Sequence, residues 1–228
     1  MNEPVKIVSM KFSGGRWFVK ITGRDNAFAV SEELVHRHRL KEGIVLTDPQ
    51  LAQLETEAEL GECDRVVARL LGIREHSIGE IKSKLSRRKF GADAIQTTIR
   101  KYVERGLLDD EHFAQHCAQS LLGRNPVGRS YLTAYLQKKQ VPREIAEQTA
   151  EMLLQGTDES ESAVQSLRKR WNQFRQFEVE TARTKAYTYL GRRGIGYAAA
   201  KAAFEQLWAE HDAEQRLNEN DEEKADDH

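Results

Sequence analysis

The sequence predicts a mainly α-helical protein, built as a tandem array of three three-helix, helix-turn-helix-like repeats with a small N-terminal β-meander and a disordered acidic C-terminal tail. Three observations predict this fold. Apolar residues recur at helical spacing from residue 61 onward, and their pattern returns at offsets of 51 and 54 residues. Only 39% of the residues are hydrophobic while 31% are charged, which suits thin helical repeats better than one large core.

Residues 1–60 form a separate N-terminal extension in this interpretation. Between residues 5 and 30, short runs rich in valine, isoleucine and aromatics are separated by Gly14-Gly15 and by Gly23, which is typical of antiparallel strands. Ser31 is positioned to begin a short helix, and Pro49 marks a second helix start. A sheet of three strands is barely stable alone, so we expect it to pack on the first repeat or to engage a partner.

The first repeat spans residues 61–109 and contains the clearest helix signals. Ser77 followed by Glu80 is a capping box that opens its second helix, and Gly106 follows the end of its third. The second repeat spans residues 110–156 and the third spans residues 157–209. Such arrays make contacts mainly between neighbouring repeats, so each repeat is expected to bury its own apolar face.

Aligning the repeats brings three leucines into register, Leu85, Leu136 and Leu190, and a pair of basic residues follows each of them. These pairs are Arg87 and Arg88, Lys138 and Lys139, and Arg192 and Arg193. A repeating apolar face is needed by any three-helix unit, but a repeating cationic pair is not. We therefore interpret the pairs as parts of one extended cationic ridge.

Charge is distributed unevenly along the chain. The formal net charge is only −1, yet residues 62–208 carry +7 and residues 209–228 carry −7. The ridge is suited to a phosphate backbone or to an acidic groove on a protein filament, and the sequence leaves both open. The candidate filament- or DNA-binding residues are Arg74, Lys82, Lys84, Arg87, Arg88, Lys89, Arg129, Lys138, Lys139, Arg192 and Arg193.

A family resemblance rests on four stretches of the sequence. These are REHSIGEIKSKL from Arg74, RGLLDDEHFA from Arg105, PVGRSYLTAYLQKKQV within the second repeat and YLGRRGI within the third. In this order they resemble the RecX family, bacterial regulators of the RecA recombinase, over roughly residues 60 to 209. Two departures lie in the scaffold: Gln140 stands where the family usually has glycine, and Gly79 interrupts a helix face.

The resemblance implies a regulatory protein without catalytic activity that binds RecA filaments on single-stranded DNA. It implies inhibition of strand exchange, of ATP hydrolysis and of the co-protease function that triggers the SOS response, in DNA repair and recombination. The family supplies no residue-level assignment, so the candidate contact residues above are chosen on charge alone. A related hypothesis is that the acidic tail, residues 210–228, competes with DNA for the ridge.

The alternative function is a sequence-independent DNA-binding helical module, on single- or double-stranded DNA, with no recombinase partner. Against this reading, no cluster of Arg, Asn or Gln is placed to read bases. An enzyme is disfavoured because neither a nucleophile elbow nor a phosphate-binding loop is found. We expect no cofactor, no metal site and no membrane span, and a cytoplasmic protein that is monomeric in isolation.

Overall fold

The computed structural model describes the backbone of residues 5–226 and the side chains of residues 5–217. Within that range the chain is mainly helical, with a small antiparallel sheet at its N-terminal end, as the sequence predicts. It forms two compact units, Met1–Asp109 and Asp110–His228, here called the N-terminal and the C-terminal unit. No helix of the described range is both long and apolar enough to cross a membrane.

The sheet has the strand order β3-β2-β1-β4, with every neighbouring pair antiparallel. Its strands are β1 (Val5–Ser13), β2 (Arg16–Ile21), β3 (Phe28–Val30) and β4 (Val45–Leu46). Gly14 and Gly15, with φ of 60° and 77°, form the two-residue turn between β1 and β2, where positive φ favours glycine. The sequence predicts the first three strands and misses β4, which is only two residues long.

The N-terminal unit continues with four helices. They are α1 (Glu32–Arg37), α2 (Asp48–Leu71), α3 (Ile78–Arg87) and α4 (Ala92–Glu104). The capping box of Thr47 and Gln50 starts α2, which then runs unbroken across the expected boundary at residue 60. Its first half packs Leu51 and Leu54 against the sheet, and its second half packs Val67 against α3 and α4. One helix therefore serves two cores, which explains why no break falls at residue 60.

Seven further helices form the described part of the C-terminal unit. They are α5 (Asp110–Leu122), α6 (Arg129–Lys138), α7 (Arg143–Leu154), α8 (Glu159–Arg168), α9 (Trp171–Phe174), α10 (Val179–Gly191) and α11 (Tyr197–Asp226). Helices α5 to α7 enclose one core around Leu132 and Leu136, and α8 to α11 enclose another around Leu190 and Phe204. The division into three repeats stays a prediction, although each expected repeat has its own buried cluster.

Two local expectations differ from the structure. The helical spacing of the apolar residues from Val164 to Phe174 predicts one long helix at the start of the third repeat. The chain instead leaves helical geometry at Arg170, where φ is −127°, and a separate turn of helix follows. The disordered tail is not confirmed, because α11 continues to Asp226. Extending a formed helix costs much less than starting one, and Phe204 and Leu207 anchor the first turns of α11 in the core. Residues 227 and 228 of the tail lie outside the described residues.

Candidate interaction surface

The second helix of each expected repeat ends in the same turn. Lys89, Gln140 and Gly194 follow α3, α6 and α10, and their φ angles are 64°, 60° and 71°. The amide of the next residue donates to the carbonyl five positions earlier: Phe90 to Leu85 at 3.5 Å, Val141 to Leu136 at 3.2 Å, and Ile195 to Leu190 at 3.1 Å. This pattern is a Schellman motif. The apolar anchors aligned from the sequence therefore occupy equivalent places in three turns.

The three basic pairs lie immediately before these left-handed residues. Arg87 ends α3 and Arg88 caps it, while Lys138 and Lys139 stand in the same relation to α6. Cations at a helix C-terminus interact favourably with the exposed carbonyls, by about 0.3–1 kcal/mol each. Helix electrostatics thus accounts for part of the pattern, but it does not require that Arg87, Arg88, Lys138 and Arg192 remain exposed.

The end of α3 carries the densest group of candidate residues. Lys82, Arg87, Arg88 and Lys89 are exposed and Lys84 is half-buried. The Nε of Arg87 donates to the carbonyl of Ser83 at 3.3 Å. None of the five forms an ion pair with any residue that the structure describes. This end of the helix therefore presents positive charge that no neighbouring carboxylate neutralises at contact distance.

Arg74, at the opposite end of α3, has a different environment. Its guanidinium forms two hydrogen bonds to the carboxylate of Glu80, at 2.9 and 3.1 Å, and a third to the carbonyl of Glu75. The hydroxyl of Ser77 accepts from the amide of Glu80 at 3.0 Å, which confirms the Ser77 half of the predicted capping box. The first of the four stretches that carry the family resemblance thus forms the start of α3. Arg74 is held there by the carboxylate of Glu80, a residue of the same helix.

His76 completes this helix start from the inside. Its ring is buried, and Nδ1 lies 2.9 Å from the carbonyl oxygen of Arg74. Burial lowers the pKa of His76 below its ordinary value, the nearby charge of Arg74 lowers it further, and the contact with the carbonyl raises it. The neutral ring is therefore favoured in the folded protein.

In the C-terminal unit the candidate cations are partly engaged with aromatic rings. The Nζ of Lys139 lies 5.7 Å from the centre of the Tyr135 ring, and the guanidinium of Arg193 lies 4.7 Å from that of Tyr189. Arg129 is paired with the carboxylate of Glu151. Lys138 and Arg192, both exposed, have no ion pair among the described residues.

A close backbone crossing brings two of these candidates together. The amide of Gly128, just before Arg129, donates to the carbonyl of Arg193 at 2.8 Å. A Cβ atom at Gly128 would overlap the carbonyl oxygen of Gly194, so only glycine permits this approach. Arg129 and Arg193 therefore flank one crossing, whereas Lys138 lies at the far end of α6, roughly 14 Å along its axis.

The sequence interpretation missed an open groove of about 990 Å³ on the C-terminal unit, between α6 and α7. Its wall includes the carboxylates of Glu147, Glu151 and Glu159 together with the half-exposed Met152. The spacing of Glu147 and Glu151, one helical turn apart, is the sequence signal that places two carboxylates on one wall, where Arg129 pairs with Glu151. The groove shows that the surface of this unit is not uniformly basic.

No family model matches the chain. The regulatory protein RecX of Chlorobium phaeobacteroides is 32% identical over 140 residues, which cover 61% of this chain and 89% of the relative. The chain belongs to the RecX family. Other members include the RecX proteins of Prosthecochloris aestuarii, 32% identical over 139 residues, and of Amycolatopsis mediterranei, 26% identical over 166 residues.

Solved RecX structures share the fold. A crystal structure of regulatory protein RecX superposes with a TM-score of 0.64 at 18% identity, covering 87% of this chain and 98% of that one. RecX from Lactobacillus salivarius gives a TM-score of 0.58 at 19% identity, over 65% of this chain and 96% of its own. The resemblance found in the sequence is thus confirmed. Because the family consists of regulatory proteins, its membership supports a regulatory role for this chain.

Proposed function

We propose that this chain binds RecA filaments on single-stranded DNA and inhibits them, with the exposed cations at the ends of α3, α6 and α10 as contact residues. The observation that carries the proposal is one turn, built three times, with a basic pair before each left-handed residue. Inhibition would extend to strand exchange, ATP hydrolysis and co-protease activity, and so to the SOS response. The protein acts by binding, without catalysing a reaction.

The electrostatics of the three turns supports contact with a polyanionic filament. Each basic pair alone gives weak, salt-screened binding. Several such contacts on one chain raise the overall affinity, because after the first has formed the others bind at high effective concentration. Arg74 and Arg129 are bound to Glu80 and Glu151, so we assign them supporting roles and rest the proposal on the other nine candidates.

A second candidate function, a DNA-binding module without a recombinase partner, is favoured by the pairing of Lys139 with Tyr135 and of Arg193 with Tyr189. Cations beside aromatic rings are found where proteins stack unpaired bases. Both rings are half-buried, however, which limits the face they offer to a base. RecA and its DNA are cytoplasmic, so the first proposal also places this protein there, as a monomer before it binds.

The DNA-dependent ATPase of purified RecA separates the two candidates. RecA is assembled on excess single-stranded DNA and titrated with this protein, from one molecule per twenty RecA subunits upward. The proposal predicts inhibition well below one protein per subunit, because a protein on the filament affects more than one subunit.

Inhibition that begins only when the added protein saturates the DNA would instead identify a DNA-binding module. Adding more DNA at a fixed ratio of protein to RecA is the control. It relieves inhibition caused by DNA masking and leaves inhibition caused by filament binding nearly unchanged.

A further inference from the structure

The middle of α11 carries two carboxylates that contact α8 and the residue after α9. The carboxylate of Glu210 accepts two hydrogen bonds from Nη2 of Arg168, at 3.1 and 3.0 Å, and a third from Gln206 at 3.0 Å. One turn further, the carboxylate of Glu214 lies 4.0 Å from Nη1 of Arg175. The first five residues of the acidic stretch thus contact two arginines of their own unit, through Glu210 and Glu214.

Between these two carboxylates, His211 packs against a pair of tryptophans. Its ring centre lies 5.7 Å from that of Trp208 and 6.5 Å from that of Trp171, with nearly perpendicular planes. Its Nδ1 atom is buried and has no hydrogen-bond partner among the described residues. An unsatisfied buried polar atom is costly, so this seam is less stable than a satisfied core contact and easier to open.

Two further arginines of the same unit lie beside one aromatic ring. The guanidinium of Arg170 lies 5.3 Å from the centre of the Tyr189 ring, and Arg193 of the third basic pair lies 4.7 Å from the same ring. We call Arg168, Arg170, Arg175 and Arg193, with Trp171 and Tyr189, the repeat-3 surface. It combines guanidinium groups, which match phosphate geometry, with two half-buried aromatic rings.

We propose that the acidic face of α11 is a built-in competitor that occupies the repeat-3 surface, and that this surface binds the backbone of single-stranded nucleic acid once the face is displaced. Glu210 and Glu214 stand about 6 Å apart along the helix axis, so they present anions in a row as a phosphate backbone does. The inference rests on the proposed function only in taking the filament's DNA as the natural polyanion.

The contact is weak enough to exchange. Arg168 is 58% exposed and Glu210 is 45% exposed, so solvent and salt screen their attraction. A nucleic acid strand brings many charges at once and gains the entropy of released counterions, which two glutamates cannot match. Displacement therefore depends on the local density of phosphate, which is high along a filament.

Neutralising the acidic face tests the inference. The double variant E210Q/E214Q is compared with wild type and with E161Q/E205Q, which makes the same charge change at two exposed glutamates that contact neither Arg168 nor Arg175. Affinity is measured by fluorescence anisotropy of a labelled 20-nucleotide oligothymidine at about 50 mM salt, with no recombinase present. We expect E210Q/E214Q to bind about tenfold more tightly, with a steeper dependence on salt, because two more cations reach phosphates.

Equal affinities of wild type and E210Q/E214Q would overturn the inference, and so would an equal gain in E161Q/E205Q. A second pair of variants locates the effect. R168A/R175A in the wild-type background changes affinity less than twofold if Glu210 and Glu214 already engage the two arginines, and it removes the gain when combined with E210Q/E214Q. The same loss in both backgrounds would show that α11 covers nothing.

The ATPase titration distinguishes this inference from the proposed function. Unchanged DNA affinity of E210Q/E214Q together with altered inhibition of RecA would mean that the surface binds protein, which defeats the inference and leaves the proposed function standing. Tighter DNA binding by E210Q/E214Q, together with a failure of the wild-type protein to inhibit RecA, would support the inference and contradict the proposed function.

Discussion

The second helix of each expected repeat is stabilised differently at its start and at its end. At their starts, α3 is capped by the hydroxyl of Ser77, whereas α6 and α10 have no side-chain cap at Gly128 and Glu178. At their ends, all three helices close with one hydrogen-bond pattern and one type of basic pair. The three starts differ from one another, whereas the three ends are alike.

The reason lies in what each end contacts. The start of α3 is held by a closed group of Arg74, Ser77 and Glu80, and the start of α6 by a backbone crossing that excludes any side chain at Gly128. All three ends share the hydrogen bonds of their own turn, and the end of α10 also takes part in the crossing, where the carbonyl of Arg193 accepts from the amide of Gly128. Exposed cations kept at such ends point to a role outside the fold, and paired cations at the starts point to a role within it.

The largest expected effect comes from reversing charge at the ends in the C-terminal unit. The variant K138E/K139E/R192E/R193E should raise the concentration that half-inhibits the RecA ATPase by about a hundredfold, if each pair contributes about tenfold independently. Near-ultraviolet circular dichroism should remain that of the wild type. A folded variant with unchanged potency would remove these two ends from the contact surface.

A substitution at one start should act on stability instead. Gly128→Ala places a Cβ against the backbone of Gly194, which can yield only by moving the crossing of α6 and α10. We expect the free energy of unfolding to fall by about 1–3 kcal/mol in urea denaturation. Gly91→Ala is the matched control, because the Cβ there meets only the flexible carboxylate of Glu59, at 3.4 Å. Equal losses of stability in Gly128→Ala and Gly91→Ala would contradict a special requirement for glycine at the crossing.

Arg74→Ala tests whether the start of α3 contributes to stability rather than to inhibition. Loss of its pairing with Glu80 should lower the free energy of unfolding by about 1 kcal/mol, while inhibition of RecA changes less than twofold. Arg100→Ala, at an exposed position with no ion pair among the described residues, should change stability by less than about 0.5 kcal/mol. A stable Arg74→Ala protein that no longer inhibits would place Arg74 on the contact surface after all.

The smallest expected effect is a pH dependence of stability that arises from the titration of His76. Burial holds its pKa below the ordinary value of 6.5, so between the two values the unfolded chain binds a proton that the folded chain does not. Its contribution to stability is complete above pH 6.5 and is lost as the pH falls. Urea denaturation at pH 7.5 and at pH 5.5 should show lower stability at the acidic value, by a margin that shrinks in His76→Gln.

The sequence predicts helix ends and charge well because both are local. The Ser77 cap, the turn after Leu85 and the three basic pairs follow from residue type and spacing. Ion pairs such as Arg74 with Glu80, and Arg168 with Glu210, depend on how side chains meet in the folded chain. Charge identified Arg87 as part of the ridge and Arg74 as a support for it, and the structure shows that Arg74 is bound to Glu80 whereas Arg87 contacts the carbonyl of Ser83.

Length and continuity of helices were predicted less well. Residue 60 divides two patterns of composition, yet α2 passes through it because its two halves pack against different cores. The acidic tail lacks apolar residues, and composition alone therefore predicts disorder. It continues a helix that Phe204 and Leu207 have already anchored, and Arg168 and Arg175 pair with its carboxylates. Such tertiary support leaves no periodic signal in the tail itself.

The most direct test of the account compares two variants of the N-terminal unit in the RecA ATPase titration. R87E/R88E reverses the basic pair at the end of α3, and R100E/R105E makes the same charge change on and just after α4, at exposed positions outside any second-helix end. The account predicts that R87E/R88E weakens inhibition about tenfold or more, while R100E/R105E stays within about twofold of wild type. Equal weakening by both variants would contradict it, because net charge alone would then govern binding.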